Sequence, residues 1–147
     1  MIHWMMSSNT AVFSLPIRIY VEDTDAGGIV FYANYLKFME RARTELMRVL
    51  GFDKPALFDG MQFVVQEVAV KYHSPAVLDD EIVVTAVLSR VSRARFEMTQ
   101  QVFRGTVSKP EELLAEGSVK VACIDAQSKR PKGMPKSMFE ILNGQVG

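Results

Sequence analysis

A chain of 147 residues is long enough to bury a core without disulfides or metals. Its 48% hydrophobic and 23% charged composition is that of a soluble globular protein and excludes intrinsic disorder. Seventeen basic residues balance seventeen acidic ones, so no global field draws the chain to nucleic acid, although a local basic cluster is still able to hold a phosphorylated small molecule. The single cysteine, Cys123, excludes an internal disulfide and suits a reducing compartment. No apolar run reaches the ~18 residues of a membrane span. Residues 1–13 lack the cationic start and long apolar stretch of a secretory signal. They read as a loose leader with Met5 and Met6 as alternative initiators, ahead of one domain over residues 14–147, and the expected setting is cytoplasmic.

From Leu15 to Glu22 the pattern alternates, with Ile17, Ile19 and Val21 opposite Arg18, Tyr20 and Glu22, which predicts a strand. Asp23 to Gly28 follows as a polar, glycine-bearing turn. Asn34 to Leu50 changes period: Tyr35, Phe38, Met39, Ala42, Leu46, Val49 and Leu50 form a helical stripe, opposite Lys37, Arg41, Thr44, Glu45 and Arg48. Asn34 is a candidate N-cap, a start nearer Val30 is equally consistent, Arg41 and Glu45 are spaced to pair, and Gly51 is placed to cap the C-terminus. A helical turn is expected around Pro55 to Phe58. Phe63–Tyr72, Glu81–Val91, Phe96–Phe103 and Leu113–Ile124 read as strands, and Lys136–Leu142 as a short helix. The order predicts an α+β fold, a five-stranded antiparallel sheet wrapped around one long helix.

The stretch from Arg18 to Tyr35 carries the chemical signal. It is a strand ending in two carboxylates, Asp23 and Asp25, then a small-residue turn, then a helix start. Gly27 and Gly28 let a ligand approach the backbone, and a helix N-terminus presents unpaired N–H groups. Such donors polarise a carbonyl while a carboxylate attacks it or activates water. The plainer reading is a turn or helix cap, the commoner use of Asp–x–Asp before glycine. Spacing does not choose between the two carboxylates; if strand geometry persists through Thr24 they face the same way.

The same stretch resembles the signature of the 4-hydroxybenzoyl-CoA thioesterase family, and within it the acyl-CoA thioesterases associated with the bacterial Tol–Pal system. The matching residues are Arg18-Ile19, Glu22 through Gly28, Val30, Tyr35 and Glu40 through Glu45. The likeness continues through Phe63-Val64-Val65, Tyr72, Pro75-Ala76, Leu78-Asp79-Asp80 and Pro135-Lys136-Ser137, nearly the whole chain after the leader. It implies a hotdog fold and hydrolysis of acyl-CoA to free acid and CoA, with Asp25 catalytic, Asp23 a structural neighbour and the backbone N–H near Tyr32 polarising the thioester. Tyr32 departs from the Tol–Pal-associated members, which carry histidine there. The resemblance further implies a homodimer or homotetramer with the active site between subunits.

Gly27, Gly28, Phe31, Tyr35, Phe63 and Val65 are candidate substrate-binding residues, with Phe31, Phe63 and some of the methionines expected to line the acyl pocket and Phe63 to Gln66 as a contribution from a partner subunit. For the CoA phosphates, Arg90, Arg93 and Arg95 flank one turn and Lys129, Arg130 and Lys132 another; related thioesterases use arginines in the first region, and guanidinium groups bind phosphate bidentately. Solubility alone also makes turns basic. No cofactor or metal is expected, since His3 and His73 lie in no ligand spacing, and His73 reads as a strand-end residue. Cys123, within an apolar strand, reads as core, as do the nine methionines. A hotdog dehydratase is disfavoured because no histidine occurs between His3 and His73. The remaining alternative is a non-catalytic acyl-CoA- or protein-binding module of the same fold.

Overall fold

Among the described residues seven antiparallel strands form one sheet in the order β1-β2-β5-β6-β7-β4-β3. They are β1 (His3–Ser7), β2 (Thr10–Arg18), β3 (Leu57–Phe58), β4 (Met61–Tyr72), β5 (Glu81–Val91), β6 (Arg95–Gly105) and β7 (Pro110–Asp125), with helices α1 (Asn34–Val49) and α2 (Lys136–Asn143). The computed structural model describes residues 3–7, 10–52, 57–58 and 60–146, with side chains for 12–52 and 60–146. Five long strands curl around α1 in the hotdog arrangement, as the α+β reading expected, and two short strands extend the edges.

The edges are where the structure corrects the sequence reading. The strand expected from Leu15 is β2, which begins at Thr10, and β1 pairs with it from His3 opposite Ser14 to Ser7 opposite Thr10, so much of the supposed loose leader is sheet. Thr10, Val12 and Phe13 are β-formers that the alternation from Leu15 onward simply continues. Leu57–Phe58 pair with Met61–Gln62 as strand rather than helical turn; the rest of that expected turn, residues 55–56, lies outside the described residues. At its other end β2 stops at Arg18. Val21–Asp23 is a 3₁₀ turn, and Val21, expected on the buried face with Ile19, is 71% exposed. A local side-chain bond wins over the ladder there: Asp23 Oδ2 accepts the Tyr20 N–H at 2.9 Å.

Helix α1 buries Tyr35, Phe38, Met39, Ala42, Leu46 and Met47 against the sheet, each large side chain contributing roughly 1.5–3 kcal/mol. Val49, assigned to the stripe from sequence, faces solvent, and Met47 takes the buried position. The C-terminus closes as expected at Gly51, whose φ of +107° only glycine adopts freely. Gly51 N–H reaches the Arg48 carbonyl and Phe52 N–H the Met47 carbonyl, both at 3.0 Å, with Phe52 buried beneath. Glu45 pairs with Arg48 at 2.6 Å rather than with Arg41. Buried Met134, Met138 and Leu142 bring the C-terminal segment and α2 into the same core. No helix among the described residues is long and apolar enough to cross a membrane.

Candidate active site

Asp23 and Asp25 do not share a face. Asp23 is 9% exposed, and both of its oxygens are engaged: Oδ1 accepts Asn34 Nδ2 at 2.8 Å, and Oδ2 the Tyr20 N–H. Asn34 is therefore not the N-cap. Ala33 occupies that position, and the Asn34 side chain ties the first helical turn back to Asp23.

Asp25 lies in solvent reach at the edge of a small hairpin. Its N–H donates to the Ile29 carbonyl at 2.9 Å, and Thr24 bridges Val30. Oδ1 accepts N–H groups from Gly27 at 2.8 Å and Ile29 at 3.3 Å, while Oδ2 accepts none from the described residues. Gly28 holds a φ of +77°, which lets the chain reverse there. The hairpin is pinned to the segment before β5 by Val30 N–H on the Ala76 carbonyl and Leu78 N–H on the Gly28 carbonyl.

The head of α1 follows directly. Phe31 N–H donates to the Asp23 carbonyl at 3.2 Å, but the N–H groups of Tyr32 and Ala33 donate to no described residue. They are the unpaired donors that a helix N-terminus leaves. The side chain of Tyr32 is 66% exposed and packs against Phe31 at 4.8 Å between ring centroids and Tyr72 at 6.3 Å. Tyr35 is buried; its hydroxyl accepts the Ala76 N–H at 2.9 Å, and desolvation pushes its pKa up.

Asp25, Gly27, Gly28, Phe31, Tyr32 and Tyr35 thus gather at one end of the sheet. Phe63, Val65 and the arginines do not join them. Arg95 pairs with Ala122, which pairs with Val64, so these residues form a row at the opposite end. Glu81 lies beside Arg18 at the Asp25 end, and β5 runs ten residues from there to Val91, roughly 30 Å. At the far end Phe63, Val65, Phe96 and Val121 face Arg43 and Met47 of α1 across a groove of about 250 Å³. Phe63 packs edge-on to Phe96, and Val65 is 51% exposed.

The two basic turns, distinct in sequence, are neighbours in space. Arg93 Nε donates to the Met134 carbonyl at 2.6 Å and its carbonyl accepts Met134 N–H, clasping the segment after Lys132. Its guanidinium is thereby partly committed to the fold. Arg90 lies 3.7 Å from Glu97, and Arg95 makes no side-chain bond to a described residue. Lys129 donates to Gln62, and Lys132 stands 3.8 Å from Asp125. His73 is at the end of β4, 2.7 Å from Glu116. Cys123 is buried in the core and its thiol is pushed up to about 11 by desolvation. Among the described residues no group of three or more His, Cys, Asp and Glu side chains is gathered to hold a metal. The residue that sequence reasoning left out of the site is Tyr72, whose hydroxyl reaches the Tyr32 carbonyl. No local pattern signals a contact across forty residues.

A carboxylate with an oxygen that no described residue occupies, at the same end of the sheet as unpaired helix-head donors, is able to support acyl transfer, and comparison with known proteins gives the family. The sequence model of the thioesterase superfamily matches residues 27–111, beginning two residues after Asp25. The acyl-CoA thioesterase YbgC of Haemophilus influenzae is 42% identical over 86% of this chain and 90% of its own length. The acyl-CoA thioester hydrolase YbgC of Escherichia coli is 39% identical over 88% and 95%. The crystal structure of a probable thioesterase from Bartonella henselae superposes with a TM-score of 0.73 at 32% identity, over 86% of this chain and all of that one. Matched through more than half its length by the family and through most of it by these relatives, the chain belongs to the thioesterase superfamily.

Proposed function

We propose that the protein hydrolyses acyl-CoA thioesters to free acid and CoA, with Asp25 as the catalytic carboxylate and the Tyr32 N–H polarising the thioester carbonyl. The observation that carries the reading is the open oxygen of Asp25. Oδ1 is fixed by two backbone donors while Oδ2, on an exposed residue, accepts none from the described residues. A carboxylate so held is oriented without being consumed by the fold. Its free oxygen attacks the acyl carbon and expels CoA to give a mixed anhydride, which water then hydrolyses to the free acid and the restored carboxylate. Alternatively it takes a proton from a water that attacks the acyl carbon and yields the acid directly. On either route negative charge gathers on the carbonyl oxygen, where the helix-head donors meet it. The C–S bond then breaks and CoA leaves as the thiol.

The substrate is held, in this reading, by two chains. Asp25 and the basic turns stand a sheet's length apart, so the Arg90–Arg95 turn serves an Asp25 only on a partner packed antiparallel. Phe63 and Val65, beside that turn, likewise belong to the partner's acyl pocket, whereas Gly27, Gly28, Phe31 and Tyr35 serve their own chain. Arg90 and Arg95 are the better phosphate ligands because Arg93 is engaged with Met134. A homodimer, doubled to a homotetramer, supplies the arrangement. A lone buried cysteine and a CoA substrate fit a cytoplasmic setting. The association with the Tol–Pal system is carried by the sequence resemblance.

The test is thiol release from a panel of acyl-CoAs by wild type and Asp25→Asn. A loss of at least about a hundredfold in the variant supports the assignment, and the preferred acyl group names the substrate. Equal activity removes Asp25 from the mechanism. Binding of CoA esters without turnover by either protein replaces the enzyme with a binding module.

A further inference from the structure

The two unpaired donors at the head of α1 are held from behind, and the hold on one of them comes from a distant strand. Tyr72, the last residue of β4, donates its hydroxyl to the Tyr32 carbonyl at 2.9 Å. Its ring packs edge-on against Tyr32 at 6.3 Å and Tyr35 at 5.3 Å. A peptide group is planar, so fixing the carbonyl of Tyr32 fixes the N–H of Ala33 on the same amide. The Tyr32 N–H belongs to the preceding amide, whose carbonyl, on Phe31, accepts the Asn34 N–H at 2.8 Å. Within the helix turn the Tyr32 carbonyl receives only a 3.3 Å bond from Tyr35 N–H, so Tyr72 supplies the shorter anchor.

We propose that Tyr72 is a positioning residue for catalysis: its hydroxyl locks the Tyr32–Ala33 amide so that the Ala33 N–H is aimed, beside the Tyr32 N–H, at the thioester oxygen as charge develops. The inference rests on the acyl-CoA thioesterase reading above and adds a residue to it.

The surroundings favour this role over packing alone. Tyr72 is half-exposed, so water competes for its hydroxyl, and a bond of that kind adds little to stability. What it adds is direction, which matters where donors must meet a developing charge without reorganising. A hydroxyl donating to a carbonyl also polarises the amide and strengthens its N–H as a donor. Tyr35 braces the other side through Ala76, whose carbonyl in turn takes the Val30 N–H. Two tyrosines therefore hold the helix head between the end of β4 and the hairpin that carries Asp25.

The test is steady-state kinetics on one good acyl-CoA with wild type, Tyr72→Phe, Asp25→Asn and Thr85→Val. Thr85 accepts the Gln101 N–H at 2.9 Å on β5 outside the site and serves as a control for loss of a fold hydrogen bond. Tyr72→Phe is expected to lower kcat about tenfold with KM within twofold of wild type, because the donors act on the transition state rather than on bound substrate. Placing 4-aminophenylalanine at position 72 returns a donor and is expected to recover most of kcat, whereas Thr85→Val leaves kcat unchanged. A Tyr72→Phe enzyme with wild-type kcat, or one altered only in KM, overturns the inference while Asp25→Asn still tests the reading beneath it. If Asp25→Asn is fully active, the thioesterase site is misassigned and this inference falls with it.

Discussion

The same substitution made two residues apart should give opposite results. Asp23 receives two donors, Asn34 Nδ2 at 2.8 Å and Tyr20 N–H at 2.9 Å, one on each oxygen, in a nearly buried site. An ionised carboxylate accepts on both sides, but an asparagine amide accepts on one and donates on the other. In Asp23→Asn one donor must therefore face another donor. A hydrogen bond to a charged group is worth about 1.5–3 kcal/mol, and a buried donor left unpaired is penalised on a similar scale. The expected loss is about 2–3 kcal/mol, a large share of a typical total of roughly 5–15 kcal/mol. In Asp25→Asn the fixed oxygen keeps its Gly27 and Ile29 donors, and the new amide nitrogen points to solvent. Stability should stay within about 0.5 kcal/mol, as for exposed substitutions in general. Urea unfolding at one fixed protomer concentration measures both, since any subunit association would otherwise shift the midpoint. Thiol release from acyl-CoA completes the comparison: Asp23→Asn keeps turnover per folded protein, and Asp25→Asn loses it. A destabilised Asp25→Asn, or an Asp23→Asn as stable as wild type, would refute the division of labour between the two carboxylates.

Gly117→Ala should cost about 1–3 kcal/mol by the same urea assay, because a Cβ there would lie 2.6 Å from the Ala69 carbonyl and force β4 and β7 apart. The Cys123 thiol, raised to about 11 in the folded protein, stays neutral where an unfolded thiol ionises. Its contribution is thus full below about pH 8.5 and is lost as pH rises toward 11. Cys123→Ala should flatten that part of the stability profile, and iodoacetamide at pH 8 should label Cys123 only in unfolded protein. Subunits bearing Asp25→Asn, mixed and refolded with subunits bearing Arg90→Ala and Arg95→Ala, should regain activity above either parent. Refolded mixtures no better than the sum of the parents would place the phosphate contact elsewhere.

How far the fold was legible depended on whether a residue's fate was decided by its near neighbours. The stripe from Tyr35 to Leu46 and the valine-rich strands follow from period alone, because burial on one face selects them. Gly51 was legible as a cap for a similarly local reason, the need for a positive φ. Misreadings fell where a side chain outvoted the pattern. Alternation through Val21 predicts strand, but Asp23 draws the Tyr20 N–H into a turn. Asn34 looks like a cap because asparagine often is one, yet its amide turns to Asp23. The short pairings of β1 and β3 depend on partners that no local periodicity identifies.

The site was less legible than the fold, and the reason is geometric. Asp25 and its glycines sit within eleven residues of the helix head, so one contiguous stretch displays them together. Tyr72 reaches that head only because β4 ends beside it, a consequence of strand order rather than of spacing. The basic turns show the same limit in reverse. Arg90–Arg95 and Lys129–Lys132 look like separate alternatives along the chain, yet Arg93 and Met134 clasp them into one surface. That joined surface lies at the wrong end of the sheet for Asp25 of the same chain. A sequence displays the groups a reaction needs, but the distance between them becomes visible only when the strands are laid side by side. In the proposed function that distance would make a second copy part of the chemistry rather than an addition to it: if the substrate phosphates are held on Arg90 and Arg95, Asp25 must borrow those arginines from another copy.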